Sequence, residues 1–253
     1  MLLGLWLPVK IPIEWVISVF YGRTDAARNL AGILTYIILY IGFIVLVKLW
    51  GRFVYREPLF KIYGLRQPRS FFRNLLQGLA IGLGSLFLMF ALQGALGWVQ
   101  WQADLGTFPR ILIEGGVMAI AVGFAEELLF RGWLLDELDR GYSPNVSLLV
   151  SSSIFAVVHK TGLQFFALVI LGAILVWAKR ATRGRLGLSI GVHAGLVWGY
   201  YLVNVGQLVK VSNQVPAWVT GIDRNPLAGV VGILALSAIA IGMRSAALRS
   251  KSK

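Results

Sequence analysis

Long unbroken apolar runs alternate with short basic turns along most of the chain, at about 29–47, 74–103, 111–133, 144–159, 163–178, 186–209 and 226–243. A bilayer core roughly 30 Å thick takes about 20 helical residues to cross, and most of these runs approach or exceed that length. They are continuously apolar rather than alternating, so they predict helices and not the strands of a membrane barrel. Helices also keep every backbone hydrogen bond inside the segment, as a hydrocarbon environment demands. Residues 1–21 are apolar as well but carry Pro8, Lys10, Pro12 and Glu14. That interruption predicts an interfacial or re-entrant segment, and it lacks the basic start and small-residue cleavage site of a signal peptide. The expectation is about seven spans, or eight if residues 1–21 also cross.

Composition supports an all-α, polytopic integral membrane protein formed as one membrane domain over residues 1–253, of which 57% are hydrophobic. The absence of cysteine excludes disulfides and thiolate metal sites. A net charge of +13 could point to nucleic acid, but the cations lie in short turns between apolar runs, so nucleic acid is not an expected partner. Residues 48–73 hold Lys48, Arg52, Arg56, Lys61, Arg66, Arg69 and Arg73 against Glu57, interleaved with aromatics. They predict a cytoplasmic amphipathic loop lying on anionic lipid headgroups. With that loop inside, the turn at 134–144, the turn at 179–185 and the C-terminal tail fall on the same side and together collect most of the 24 basic residues. A multi-pass protein of the cell or inner membrane with a cytoplasmic C-terminus follows.

Ionisable groups inside the spans change the picture, because they are costly in a membrane and mark function by default. Glu126, Glu127 and Arg131 interrupt the third run. Four-residue spacing puts Glu127 and Arg131 on one helix face, where they can pair, while Glu126 is turned away by about 100° and is free to act as a general base or acid. The only two histidines are His159 and His193, in the fourth and sixth runs. His159 ends a stripe of Ser147, Ser151 and Phe155 at four-residue intervals, a stripe that should face protein or a water-filled cavity. His193 shares a face with Ser189 and Asn204, opposite a seam of Gly187, Gly191, Gly195 and Gly199 that would let another helix approach closely. At 1.5 Å per residue, Glu126, His193 and His159 lie about 15, 12 and 21 Å from the inner surface, close enough to converge with modest tilt. Taken singly, the Glu126, Glu127 and Arg131 set is equally a structural charge pair, and each histidine alone reads as an interhelical hydrogen-bond partner before a catalyst.

The motif set resembles the CPBP family, which contains the CAAX prenyl endopeptidases and the bacteriocin-processing, abortive-infection-like proteins. Glu126, Glu127 and Arg131 match its Glu-Glu-x-x-x-Arg motif, Phe155 and His159 its Phe-x-x-x-His motif, and His193-Ala194 opens its last motif. The resemblance covers about 111–205. It implies hydrolysis of a peptide bond in a membrane-associated or lipidated peptide by glutamate- and histidine-activated water. Glu126 would be the general base, His159 would hold the water or protonate the leaving amine, and His193 would stabilise the oxyanion. Arg131 with Glu127 would fix the helix, and Phe155 would support His159. A metal-free mechanism is favoured, with zinc on Glu126, Glu127, His159 and His193 as the alternative. Val197 stands where the family has asparagine, which opens a second reading as a weak or inactive member acting as a membrane scaffold or bacteriocin-immunity protein. A proton-coupled carrier, the third class considered, would call for inverted repeats of broken spans, and none are visible.

Overall fold

The computed structural model describes residues 2–22, 24–102, 106–159, 162–212, 215–222 and 225–251. Met1, Ala103 at the expected end of the second span, and Lys253 in the basic tail lie outside the described residues. The chain divides into two compact units, residues 1–59 and 60–253.

In the first unit, α1 (Leu2–Tyr21) and α2 (Asp25–Trp50) pack along each other. Pro8 and Pro12 do not interrupt α1, so the expected re-entrant segment is one continuous helix of 20 residues. Lys10 and Glu14, one turn apart, pair at 3.3 Å and lower each other's cost on an apolar helix. A π-helical turn, Gly51–Tyr55, prolongs α2 and ends on Arg56 in the left-handed region (φ 57°). The short α3 (Leu59–Ile62) begins on the last residue of this unit.

The second unit contains the remaining helices: α4 (Pro68–Ala95), α5 (Phe108–Glu127), a π segment (Leu128–Leu134), α6 (Leu135–Gly141), α7 (Pro144–Val158), α8 (Phe165–Ala181), α9 (Gly187–Asn204), α10 (Ala217–Thr220) and α11 (Val230–Lys251). Prolines near the first turns of α4, α5 and α7 supply a preset φ where no intrahelical donor is needed. The unit is built around α9, which packs on α4, α5 and α8, while α8 also meets α7 and α11. Phe90, Phe130, Phe155, Ile174, Leu175, Val192 and Leu196 are among the buried side chains of its core.

The glycine seam of α9 is where the sequence predicted close approach. A Cβ placed on Gly82 of α4 would lie 2.5 Å from the Val192 carbonyl oxygen, and one on Gly195 2.8 Å from that of Leu79. The two backbones touch, as small-residue seams permit. Gly82→Ala is therefore expected to cost about 1–3 kcal/mol through overpacking, whereas at Gly84, with nothing within 4 Å, alanine should be neutral or slightly stabilising. Thermal unfolding of the two variants in one detergent separates them, and equal midpoints would remove the seam from the fold's energetics.

Exposed apolar side chains cover the outward faces: Leu88 and Leu92 on α4, Ile113 and Val117 on α5, Leu234 and Ile241 on α11. A soluble protein rarely shows so much apolar surface, and hydrocarbon is the solvent that fits it. By length and hydropathy, four helical stretches are candidate spans among the described residues: Ile38–Tyr55, Pro68–Ala95, Gly162–Ala181 and Val230–Ser250. Helices occupy the other expected runs, but α5 and α9 are not among those candidates and α7 has only 15 residues. The structure thus shows a helical membrane protein in which four stretches, among the described residues, have the length and hydropathy of a span.

Several boundaries differ from expectation. Residues 48–73 are broken into short helical pieces: Arg56 and Gly64 (φ 74°) adopt positive φ, Pro58 and Pro68 lack the donors a continuous helix needs, and Tyr63 is fully buried. Most of the turn expected at 134–144 is helical, because the third run continues through the π segment into α6 and only 142–143 lie between it and α7. The second and sixth runs stop early and are followed by three-residue strands, β1 (Val99–Trp101) and β2 (Val209–Val211), paired antiparallel with Gln100 opposite Lys210. Gly97 (φ 73°) turns the chain into the first strand.

Candidate active site

The expected residues meet where α5, its π segment, α7 and α9 come together. Glu127 and Arg131 are both fully buried and pair at 2.9 Å, as their four-residue spacing predicted. Glu127 does a second job: its Oε1 also accepts from Nδ1 of His193 at 3.0 Å. The guanidinium of Arg131 donates to the Gly172 carbonyl at 3.3 Å and lies 4.3 Å from the centroid of Phe155. Phe155 is the hub of the cluster, with His159 at 4.5 Å and His193 at 5.8 Å between ring centroids. Its contacts explain why a phenylalanine four residues before His159 matters: it shields the buried arginine and sets both imidazoles.

Glu126 faces the other way, as expected, and looks between the two histidines. Its Oε2 lies 3.5 Å from Nε2 of His159 and 3.8 Å from Nε2 of His193. Each imidazole is oriented from behind. Nδ1 of His159 is 2.7 Å from the Phe155 carbonyl oxygen, which can only accept, so this nitrogen carries the hydrogen. Nδ1 of His193 donates to Glu127 in the same way. Both rings in their neutral form therefore turn an Nε2 lone pair toward Glu126. Among the described residues, the Oε2 atom of Glu126 is buried and has no hydrogen-bond partner. Three acceptors pointed at one another store a demand for a proton or a donor, and a buried polar atom left in this condition calls for a functional explanation.

Access is asymmetric. The side chains of Glu126 and His159 are 26% and 30% exposed, while those of Glu127 and His193 are 0% and 4% exposed. The accessible pair can meet a substrate, and the buried pair holds it in place. Phe155, Ser147 and Ser151 are buried, as the α7 stripe predicted. Ser189 and Asn204, which share a face with His193 on paper, bond back to their own helix at Leu186 and Tyr200 and do not enter the cluster. Val197 contributes no polar atom at its position on α9.

The zinc alternative would draw its ligands from Glu126, Glu127, His159 and His193. Oε1 of Glu127 is already committed to Arg131 and His193. Among the described residues no group of three or more histidine or acidic side chains is placed to hold a metal ion.

Three polar residues at the site were not anticipated. Lys179 is almost fully buried and donates to the Arg131 carbonyl oxygen at 2.5 Å. Lys179 also pairs with Asp136, whose other oxygen accepts from the Tyr63 hydroxyl at 2.8 Å. In the sequence Lys179 adjoins Arg180 and looks like one more cation of a basic turn, and only its place in the last turn of an apolar helix hints otherwise.

A helical membrane protein with a glutamate and two histidines gathered between helices is the class that this fold and site define. Within it, residues 107–199 match the family described as Type II CAAX prenyl endopeptidase Rce1-like, which supports the CPBP family assignment read from the motifs. The matched stretch contains Glu126, Glu127, Arg131, Phe155, His159 and His193, and the family is one of proteases. No curated protein and no solved structure matches the chain.

Proposed function

We propose that the protein is an intramembrane endopeptidase of the CAAX type, hydrolysing a peptide bond of a membrane-associated, lipidated peptide without a metal. The observation that carries this is the buried, unpartnered Oε2 of Glu126 set between the Nε2 atoms of His159 and His193. At 3.5 and 3.8 Å these atoms are too far apart for direct hydrogen bonds and suit a shared water molecule. Glu126 takes a proton from that water as its oxygen attacks the scissile carbonyl carbon. The carbonyl π bond opens to an oxyanion, which Nε2 of His193 stabilises once that nitrogen takes up a proton, with the Glu127 carboxylate behind Nδ1 balancing the added charge. Collapse of the tetrahedral intermediate breaks the C–N bond, and the proton returns to the leaving amine through Glu126 or through His159 Nε2. With valine at 197 the oxyanion lacks one side-chain donor, and losing such a donor typically costs about 10² to 10³ in rate. Turnover should therefore be slow.

An internally quenched, farnesylated CAAX-type peptide presented to the purified protein in liposomes tests the reading. Cleavage should occur, persist after exhaustive treatment with a metal chelator, and disappear in Glu126→Gln. Loss of cleavage on chelation with restoration by zinc would overturn the metal-free part. Cleavage by Glu126→Gln at the normal rate would overturn the whole.

The proposed orientation places the C-terminus and the 179–185 turn in the cytoplasm, with anionic headgroups against the basic segments. The chain has no cysteine of its own, so introduced ones report cleanly. A membrane-impermeant maleimide should label Arg110→Cys on intact cells and Arg249→Cys only after the membrane is opened. The reverse pattern would invert the topology.

A further inference from the structure

The π segment that follows the two glutamates is held from outside by side chains of two other helices. Its closing bond runs from the Leu135 N–H to the Phe130 carbonyl oxygen, which also accepts from Ser151 Oγ of α7 at 3.3 Å. The next carbonyl, that of Arg131, accepts from Lys179 Nζ of α8. Lys179 is 5% exposed, pairs with Asp136 of α6, and lies 5.2 Å from the centroid of Tyr63. Tyr63 in turn bonds Asp136 through its hydroxyl and accepts from the Leu186 N–H through its carbonyl, next to the start of α9. A buried ammonium is costly to desolvate, and an apolar helix end this close to a basic turn has no need of one for capping. The placement of its donors is what calls for an explanation. A π segment widens the helical turn, and it persists where outside donors occupy carbonyls that an α-helical ladder would otherwise use.

We propose that Lys179, with Asp136 and Tyr63, is a positioning residue of the active site. It holds the Arg131 backbone in the π register, so that the guanidinium reaches Glu127 and, through Glu127, fixes Nδ1 of His193. The path is short: Lys179 Nζ to the Arg131 carbonyl, the Arg131 side chain to Glu127 at 2.9 Å, and Glu127 to His193 at 3.0 Å. Lys179 itself touches none of the reacting groups. This inference rests on the hydrolase reading above.

Its test is a split between kcat and KM on the same farnesylated peptide in liposomes. Lys179→Met should lower kcat by about 10- to 10²-fold, the size of a small misplacement of catalytic groups, and leave KM unchanged. The double variant Lys179→Met/Asp136→Asn should be no slower than Lys179→Met alone, because both act through one link. Hydrogen exchange gives a readout independent of activity: amides of 128–134 should exchange faster in Lys179→Met while those of α9 stay as in the wild type. Tyr63→Phe, which removes one hydroxyl and keeps the ring, serves if Lys179→Met does not fold, and should show the same pattern more weakly. Unchanged kcat with unchanged exchange at 128–134 would overturn the proposal, as would a raised KM at normal kcat. Were Glu126→Gln to cleave normally, the hydrolase reading would fail, and the exchange result would still decide whether Lys179 holds the π segment.

Discussion

Glu126→Gln is expected to lower peptide cleavage by about 10² to 10⁴-fold, the range a positioned general base supplies, while the protein folds as well as the wild type or better. Glutamine has the shape of glutamate, and its amide nitrogen would turn a donor toward Nε2 of His159 and His193, where the wild-type carboxylate presents only another acceptor. The substitution thus satisfies an atom that the native site leaves buried and unpartnered, and it removes the carboxylate proposed to take a proton from water. Opposite movements of activity and stability are what a site held under tension for function produces. The measurement is the initial cleavage rate in liposomes beside the thermal midpoint in detergent. Activity and stability falling together would mean that Glu126 is a structural carboxylate, and full activity would remove it from the mechanism.

The parts of this site that were legible in the sequence depend on spacing along one helix. Four residues separate Glu127 from Arg131 and Phe155 from His159, and the structure closes both relations, the first as an ion pair and the second as tilted rings in contact with a bond to the Phe155 carbonyl. The one-residue offset of Glu126 correctly turned it from Arg131 toward the histidines. Helix seams were legible for the same reason, since four-residue glycine spacing on α9 needs only helical geometry to become a flat stripe, and α4 brings Gly78 and Gly82 against it. What stayed hidden depends on partners from elsewhere in the chain. The π segment has an ordinary helical sequence, and its register is supported by Ser151 and Lys179 from α7 and α8. Asp136 looked like a turn residue because its neighbours Glu137, Asp139 and Arg140 are polar, yet it meets Lys179 across 43 positions. The strands of three residues after α4 and α9 are too short to show a pattern and exist through each other.

Arg131→Met is expected to be the most destabilising single change at the site, costing about 3–5 kcal/mol, the usual result of removing one partner from a buried ion pair. Both side chains are 0% exposed, so the Glu127 carboxylate would be left in the protein interior with only His193 Nδ1 as a donor. The substitution also removes the bond to the Gly172 carbonyl and the contact with the Phe155 ring. The double variant Glu127→Gln/Arg131→Met removes the stranded charge, while the side-chain amide introduced at position 127 keeps an oxygen that can still accept from His193. It should therefore recover much of the lost stability, and the thermal midpoints of the four proteins should give a coupling well above the few tenths of a kcal/mol seen for independent sites. Cleavage should recover only in part, because the double variant restores an acceptor for His193 but not the negative charge that backs it beside the oxyanion. Strict additivity of the two changes would show that Glu127 and Arg131 are held by their surroundings and not by each other. Arg131→Met with wild-type stability would show that the pair adds nothing to the fold, and the account of how His193 is held would then have to begin from α9.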